Sequence, residues 1–186
     1  MKLAIKKKTL ELAQGDITEF TADAIGNAAN AQLAGGGGVD GAIHRAAGPT
    51  VMEECRRIGS CPTGNTVATG AGNLKARWVM HAVGPVYEGG TKGERNLLKG
   101  AYQTTLDLCD LHRCHSLALP AISTGVYGYP MEEAAEVALS TVALHLGGRT
   151  QLERVTFVLF DRAAYDTFAA ALVRLAEKKK LPPPTE

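Results

Sequence analysis

Asp40 and His44 stand four residues apart, directly after four consecutive glycines, Gly35 to Gly38. That spacing puts a carboxylate and an imidazole on one face of a helix, where Asp40 can orient or partly deprotonate a water and His44 can position Asp40 or the loop, or simply pack against the sheet. Glycine loses the most backbone freedom on ordering. A run of four is tolerated where the backbone takes unusual dihedrals or approaches a ligand closely. A glycine loop that feeds a helix gathers unpaired N–H groups at the positive end of the helix dipole. Phosphate or pyrophosphate suits that environment best. Gly36, Gly37, Gly38 and Val39 therefore read as a phosphate cradle, with Asp40 and His44 as the chemistry beside it.

A second glycine loop, Ser123-Thr124-Gly125-Val126-Tyr127-Gly128-Tyr129-Pro130, follows an apolar run and precedes a helix. It places further backbone N–H groups at the carboxyl end of a strand. Two such loops in one small domain form two walls around one diphosphate. Asn27 and Asn30 can hold ribose hydroxyls or shape the turn, since Asn both donates and accepts and tolerates left-handed dihedrals. Asp16 can accept from a base amino group, or simply cap a turn. Phe160, at the end of the last apolar run, can stack on a base or fill the core. Gly36, Gly38 and Gly41 spell G-x-G-x-x-G, but no strand ends immediately before them, which argues against a Rossmann dinucleotide site.

The elements that must position these groups alternate. Residues 2–14 predict one or two strands, and 23–28, 65–69, 77–83, 116–122 and 155–160 predict further ones. Helices are predicted over 39–47, stopped by Gly48-Pro49, over 95–111, over 131–146 with Pro130 as the first helical residue, and over 161–177. Alternating strands and helices imply an α/β domain with a largely parallel sheet, whose ligands bind outside the carboxyl ends of the strands. Residues 1–180 read as one domain and 181–186 as a proline-rich, frayed tail.

The 186 residues are 45% hydrophobic and 21% charged, which fits one globular core. With 20 Lys and Arg against 19 Asp and Glu, the chain has no electrostatic footprint for nucleic acid. No apolar run approaches a membrane span and no secretory leader is evident. Cys55, Cys61, Cys109 and Cys114 form no C-x-x-C pair, which points to free thiols in a cytoplasmic protein. Cys109, His112, Cys114 and His115 lie close together but match no zinc spacing, so neither a metal nor another cofactor is expected. His81 and His145 lie on apolar segments and read as structural.

Gly15-Asp16-Ile17-Thr18, Asp23 to Asn30, Gly35 to Gly48, His81 to Pro85 and Pro120 to Pro130, in this order, resemble the macro domain family over nearly the whole chain. The form Gly-Gly-Gly-Val-Asp-Gly-x-Ile-His resembles its MacroD-type members. The resemblance implies a three-layer α/β/α sandwich with a central mixed, mostly parallel sheet. It implies binding of ADP-ribose, O-acetyl-ADP-ribose or ADP-ribosylated protein, with hydrolysis of mono-ADP-ribose from acidic side chains or deacetylation of O-acetyl-ADP-ribose. Asp16 would contact the adenine amino group, Phe160 would flank the adenine, and Ile17 would belong to the ligand site. Asn27, Asn30 and Asp40 would border the distal ribose. Ser123, Thr124, Gly125, Val126 and Tyr127 would wrap the diphosphate. A non-catalytic reader of ADP-ribose and a phosphatase acting on ADP-ribose 1″-phosphate are the competing readings. Gly26 departs from the family, which carries an aliphatic residue before Asn-Ala-Ala-Asn; its absence predicts a looser strand or a local cavity.

Overall fold

The computed structural model describes all residues, Met1 to Glu186. Seven strands form one sheet: β1 (Lys2–Ile5), β2 (Lys8–Gln14), β3 (Ala24–Ala28), β4 (Thr66–Gly70), β5 (Trp78–Ala82), β6 (Ser116–Leu119) and β7 (Arg154–Leu159). Their order across the sheet is β1-β2-β7-β6-β3-β5-β4. The pairs β2·β7, β7·β6, β6·β3 and β3·β5 are parallel, whereas β1·β2 and β4·β5 are antiparallel. The sheet is therefore mixed, mostly parallel, with antiparallel strands at its edges, as the alternating pattern predicts.

Five α-helices cover it: α1 (Gly38–Ala47), α2 (Pro49–Ile58), α3 (Glu94–Leu111), α4 (Met131–Gly147) and α5 (Arg162–Lys178). On one face, Leu98, Leu106, Ala138, Leu139, Val142, Phe168 and Leu172 from α3, α4 and α5 pack on Leu10, Met80, Leu117 and Phe157. On the other, Ile43, Ala47, Val51 and Cys55 from α1 and α2 pack on Ile25, Val79, Ala118 and Val158. Strand alternation explains the division: Ile25 and Val79 face one layer, Ala24 and Met80 the other. The result is the three-layer α/β/α sandwich. No helix is long and apolar enough to cross a membrane.

Several details differ from the sequence reading, and one is the predicted strand 116–122, which ends as β6 at Leu119 and leaves Pro120 to Ile122 in the loop that follows. Gly48-Pro49 ends α1, but Pro49 is also the first residue of α2. Its fixed φ and missing N–H suit a helix start as well as a stop, and Gly48, at φ 85, turns the chain between the two helices. Pro130 caps α4 from outside rather than opening it. The C-terminal tail is not frayed: Lys2 and Thr185 exchange backbone hydrogen bonds of 2.7 and 2.9 Å, which pairs part of the free edge of β1.

Candidate functional site

A cleft of about 860 Å³ opens at the carboxyl ends of the parallel strands. Gly15, Asp16 and Ile17 after β2, Ala28 at the end of β3 with Ala29 and Asn30 after it, Gly84 after β5, Pro120 to Tyr127 after β6 and Phe160-Asp161 after β7 all line it. Gly36 to Asp40 close one wall. The parallel order brings these five strand ends together, which is the placement the alternation predicts.

The first wall is the glycine loop. The N–H groups of Gly36 to Asp40 make no hydrogen bond within the protein; the first bond of the turn is Gly41 N–H to the Gly37 carbonyl, 3.1 Å. Asn30 shapes the loop from below: its Nδ2 donates to the Gly35 carbonyl at 2.9 Å and its Oδ1 accepts from Ala34 N–H at 3.1 Å. Gly41 is required for a steric reason, since a Cβ there would lie 2.4 Å from the Gly36 carbonyl oxygen. The second wall is Ser123 to Tyr127. The N–H groups of Gly125, Val126 and Tyr127 are likewise unpaired within the protein. Ser123 is left-handed at φ 68, and its Oγ fills the space a Cβ on Gly84 would occupy.

Asp40 is only 7% exposed, yet it lines the cleft. Its Oδ1 accepts from Asn27 Nδ2 at 2.8 Å and faces His44 Nε2 at 3.3 Å. Its Oδ2 lies toward Gly36, 3.6 Å from where that residue's Cβ would be. One carboxylate oxygen is thus occupied by protein and the other is turned to the loop. His44 lies behind Asp40, outside the cleft lining, with its Nδ1 buried and unpartnered. Asn27 does not reach the cleft either. It is wholly buried, because strand alternation sends its side chain with Ile25 into the layer under α1 and α2. Asn27 therefore borders Asp40 rather than a ligand.

Asp16 stands at the cleft mouth as the cap of a short 3-10 turn, Ile17–Glu19. Its Oδ1 accepts from the Thr18 hydroxyl at 2.7 Å and from Thr18 N–H at 2.9 Å, which holds its carboxyl below the usual carboxylate range. Ile17 is buried and Val39 half-buried, both within the core layer under α1 and α2. Phe160 is 81% exposed and lines the cleft, so it is not a core residue. Val126 is fully exposed at the tip of the second loop. Arg45, Met131 and Asp161 also line the cleft, and sequence reasoning did not single them out. Arg45 follows from its place one turn after Gly41 on α1.

No cavity lies under Gly26. Leu119 Cδ2 would be 2.8 Å from a Cβ placed there and Pro120 Cδ 3.2 Å, so these neighbours have filled the space.

The cysteine–histidine segment assembles no metal site. Cys109 and Cys114 are buried, His112 stacks on Trp78 with ring centroids 4.2 Å apart, and the exposed His115 pairs with Glu153. His145 pairs with Asp110 at 2.8 Å. A different trio, His44, Cys55 and His81, brings its ligand atoms within 4.8 Å of one another. Burial pushes the Cys55 thiol up to about 11, with Asp40 and Glu54 adding to the effect, so it stays protonated. His81 is engaged through both ring nitrogens, by Asn27 at 3.1 Å and Thr69 at 2.8 Å. The trio is packed as a polar core cluster rather than as an open ligand set.

The family model for the macro domain matches residues 26–138. An O-acetyl-ADP-ribose deacetylase of Citrobacter koseri is 52% identical over 159 residues, covering 83% of this chain and 90% of that protein. A macro domain-containing protein of Caldanaerobacter subterraneus is 49% identical over 173 residues, covering 91% and 98%. Among solved structures, the Oceanobacillus iheyensis macrodomain with ADP superposes with a TM-score of 0.92 at 40% identity, covering 96% of this chain and 97% of that one. The Trypanosoma brucei macrodomain in complex with ADP-ribose gives 0.80 at 40% identity, covering 86% and 67%. Sequence, strand order and relatives agree, and the chain belongs to the macro domain family.

Proposed function

We propose that this chain is an ADP-ribose-binding hydrolase that removes mono-ADP-ribose from acidic side chains, deacetylates O-acetyl-ADP-ribose, or does both. The observation that carries the reading is Asp40: a nearly buried carboxylate with Oδ1 held by Asn27 and His44 and Oδ2 turned to the glycine loop. The unpaired N–H groups of both loops take the diphosphate. Asp16 and Phe160 receive the adenine, and the distal ribose lies between Asn30 and Tyr127. A water between the α-phosphate and the distal ribose C1″ is then oriented, or partly deprotonated, by Asp40, while Asn30 holds the loop that positions it. A carboxylate leaves readily, so modest base catalysis suffices, and no covalent intermediate is needed. Relatives at about half identity that carry the name O-acetyl-ADP-ribose deacetylase support the assignment.

The test is hydrolysis of O-acetyl-ADP-ribose and of a glutamate-linked ADP-ribosylated protein, with ADP-ribose binding measured in parallel and Asp40→Ala as control. Turnover that vanishes in the variant while binding persists is the expected result. Tight binding without turnover makes the chain a reader, and loss of both in the wild type overturns the ligand itself.

A further inference from the structure

His81 is wholly buried in β5, directly across from Asn27 in the parallel register of β3 and β5. Thr69 on β4, His44 on α1 and Cys55 on α2 complete its surroundings. Burial, with a smaller contribution from His44, pushes its imidazole down to about 3, so the ring is neutral and carries one N–H.

Which nitrogen carries it follows from the neighbours. Asn27 Nδ2 lies 2.8 Å from Asp40 Oδ1 and 3.1 Å from His81 Nδ1. An amide nitrogen has two protons, and an ionised carboxylate can only accept. One proton therefore goes to Asp40 and the other to His81 Nδ1, which must be the unprotonated nitrogen. The ring N–H is then on Nε2, 2.8 Å from Thr69 Oγ1, and the Thr69 hydroxyl donates onward to the Gly70 carbonyl at 2.8 Å. Each donor of the Asn27–His81–Thr69 series then faces an acceptor, and the Cys55 sulfur, 3.8 Å from Nε2, lies on the accepting side of that N–H. The arrangement leaves Asn27 Oδ1 buried without a partner. It persists because the turned amide would set an oxygen against the Asp40 carboxylate and forfeit both donations, a heavier penalty in a buried setting.

We propose that His81 is a positioning residue for the hydrolytic reaction: its Nε2–H form, set by Thr69, fixes the Asn27 amide so that Asp40 is gripped through Oδ1 and presents Oδ2 to the water. His81 does not line the cleft, so it acts only through Asn27. The inference rests on the assignment of Asp40 as the water-directing group.

Three variants and one spectrum test it. His81→Leu removes the acceptor at similar volume. His81→Asn restores an amide oxygen near the position of Nδ1. Thr69→Val removes the acceptor for Nε2–H from the far end and stands in should His81→Leu fail to fold. With O-acetyl-ADP-ribose as substrate, His81→Leu and Thr69→Val are expected to lower kcat at least about tenfold, while Kd for ADP-ribose stays within about twofold. His81→Asn is expected to recover most of the loss. Imidazole nitrogen NMR of the wild type should show His81 as Nε2–H. Unchanged kcat in both the Leu and Val variants, or an Nδ1–H signal, overturns the proposal. So does a joint loss of kcat and affinity that His81→Asn leaves uncorrected. A wild type that binds ADP-ribose without turnover overturns the functional reading itself, and that outcome is visible before any variant is made.

Discussion

Asp40 Oδ1 lies 2.8 Å from Asn27 Nδ2, and the partner on the other side of that nitrogen is an imidazole rather than a ligand. The carboxylate is thus anchored from the core and offered to the cleft by its second oxygen. Asp40→Asn keeps the shape and removes the charge. It should reduce turnover of O-acetyl-ADP-ribose by about 10²–10⁴-fold, the usual worth of a general base. Affinity for ADP-ribose, measured by calorimetry, should change by only a few-fold.

Gly41→Ala should disrupt the first wall. The added methyl meets the Gly36 carbonyl at 2.4 Å, and backbone cannot swing aside as a side-chain end can. Overpacking of this kind costs about 1–3 kcal/mol. A thermal melt should show that loss, and ADP-ribose affinity should fall with it because the loop N–H groups move. Gly37→Ala, with nothing within 4 Å of the new atom, is the control and should melt like the wild type.

Phe160→Ala separates recognition from chemistry. The ring is 81% exposed, so the melting temperature should not move. Stacking a base on an aromatic side chain contributes about 1–3 kcal/mol, so the ADP-ribose Kd should rise roughly tenfold or more. Turnover at saturating substrate should stay near the wild-type value.

Acid should weaken the fold in a defined window. Glu94 at the start of α3 accepts from the N–H groups of Glu88 at 3.0 Å, Gly90 at 2.8 Å and Lys92 at 2.5 Å. These donations, the Glu88 one foremost, hold its carboxyl down at about 2. Its pKa is lower folded than unfolded, where it is roughly 4.3, so its stabilisation is complete above that value and is lost as pH falls toward 2. Glu94→Gln should therefore be less stable than wild type at neutral pH, and the difference should close on acidification. His81 follows the same direction: held neutral to about 3, it has no pH-dependent effect above roughly 6.5, and as pH falls toward 3 the fold weakens because only the unfolded chain takes up its proton. Denaturant melts across this range in Glu94→Gln and His81→Asn check both.

The Leu119 side chain occupies the space that a side chain on Gly26 would need. Gly26→Val should lower the melting temperature, because Leu119 Cδ2 already occupies the site. Combining it with Leu119→Ala should restore much of the loss, and a double-mutant cycle would show a coupling that independent sites lack.

Much of this arrangement was legible in the residues. Both glycine loops, the alternating elements and the cleft at the strand ends follow from spacing and local chemistry. What was hidden depends on neighbours across the sheet. Pro49 marks a helix start or a helix stop, and only the packing of Val51 and Cys55 against the sheet decides. Asn27 lies within the predicted strand 23–28 yet reads as a ribose-binding or turn-shaping residue, until β3 turns its side chain inward, away from the cleft. His81 and Asn27 are each a polar residue inside a small apolar strand, a signal that both need a buried partner. That they are each other's partner is a property of register, which no local pattern encodes.

The Tyr102 hydroxyl accepts from Ile122 N–H at 2.9 Å and donates to the Pro120 carbonyl at 3.2 Å, gripping the loop where it leaves β6. Tyr129 N–H closes on the Ser123 carbonyl at 2.9 Å, and Tyr87 N–H holds the Tyr127 carbonyl at 2.8 Å. The left-handed backbone at Ser123 is thus held by contacts within the protein, which also direct the free N–H groups. Little ordering entropy remains to be lost on capture. Association should then be limited by encounter: stopped-flow traces should be single-exponential, with a rate that climbs linearly with ligand concentration and shows no plateau.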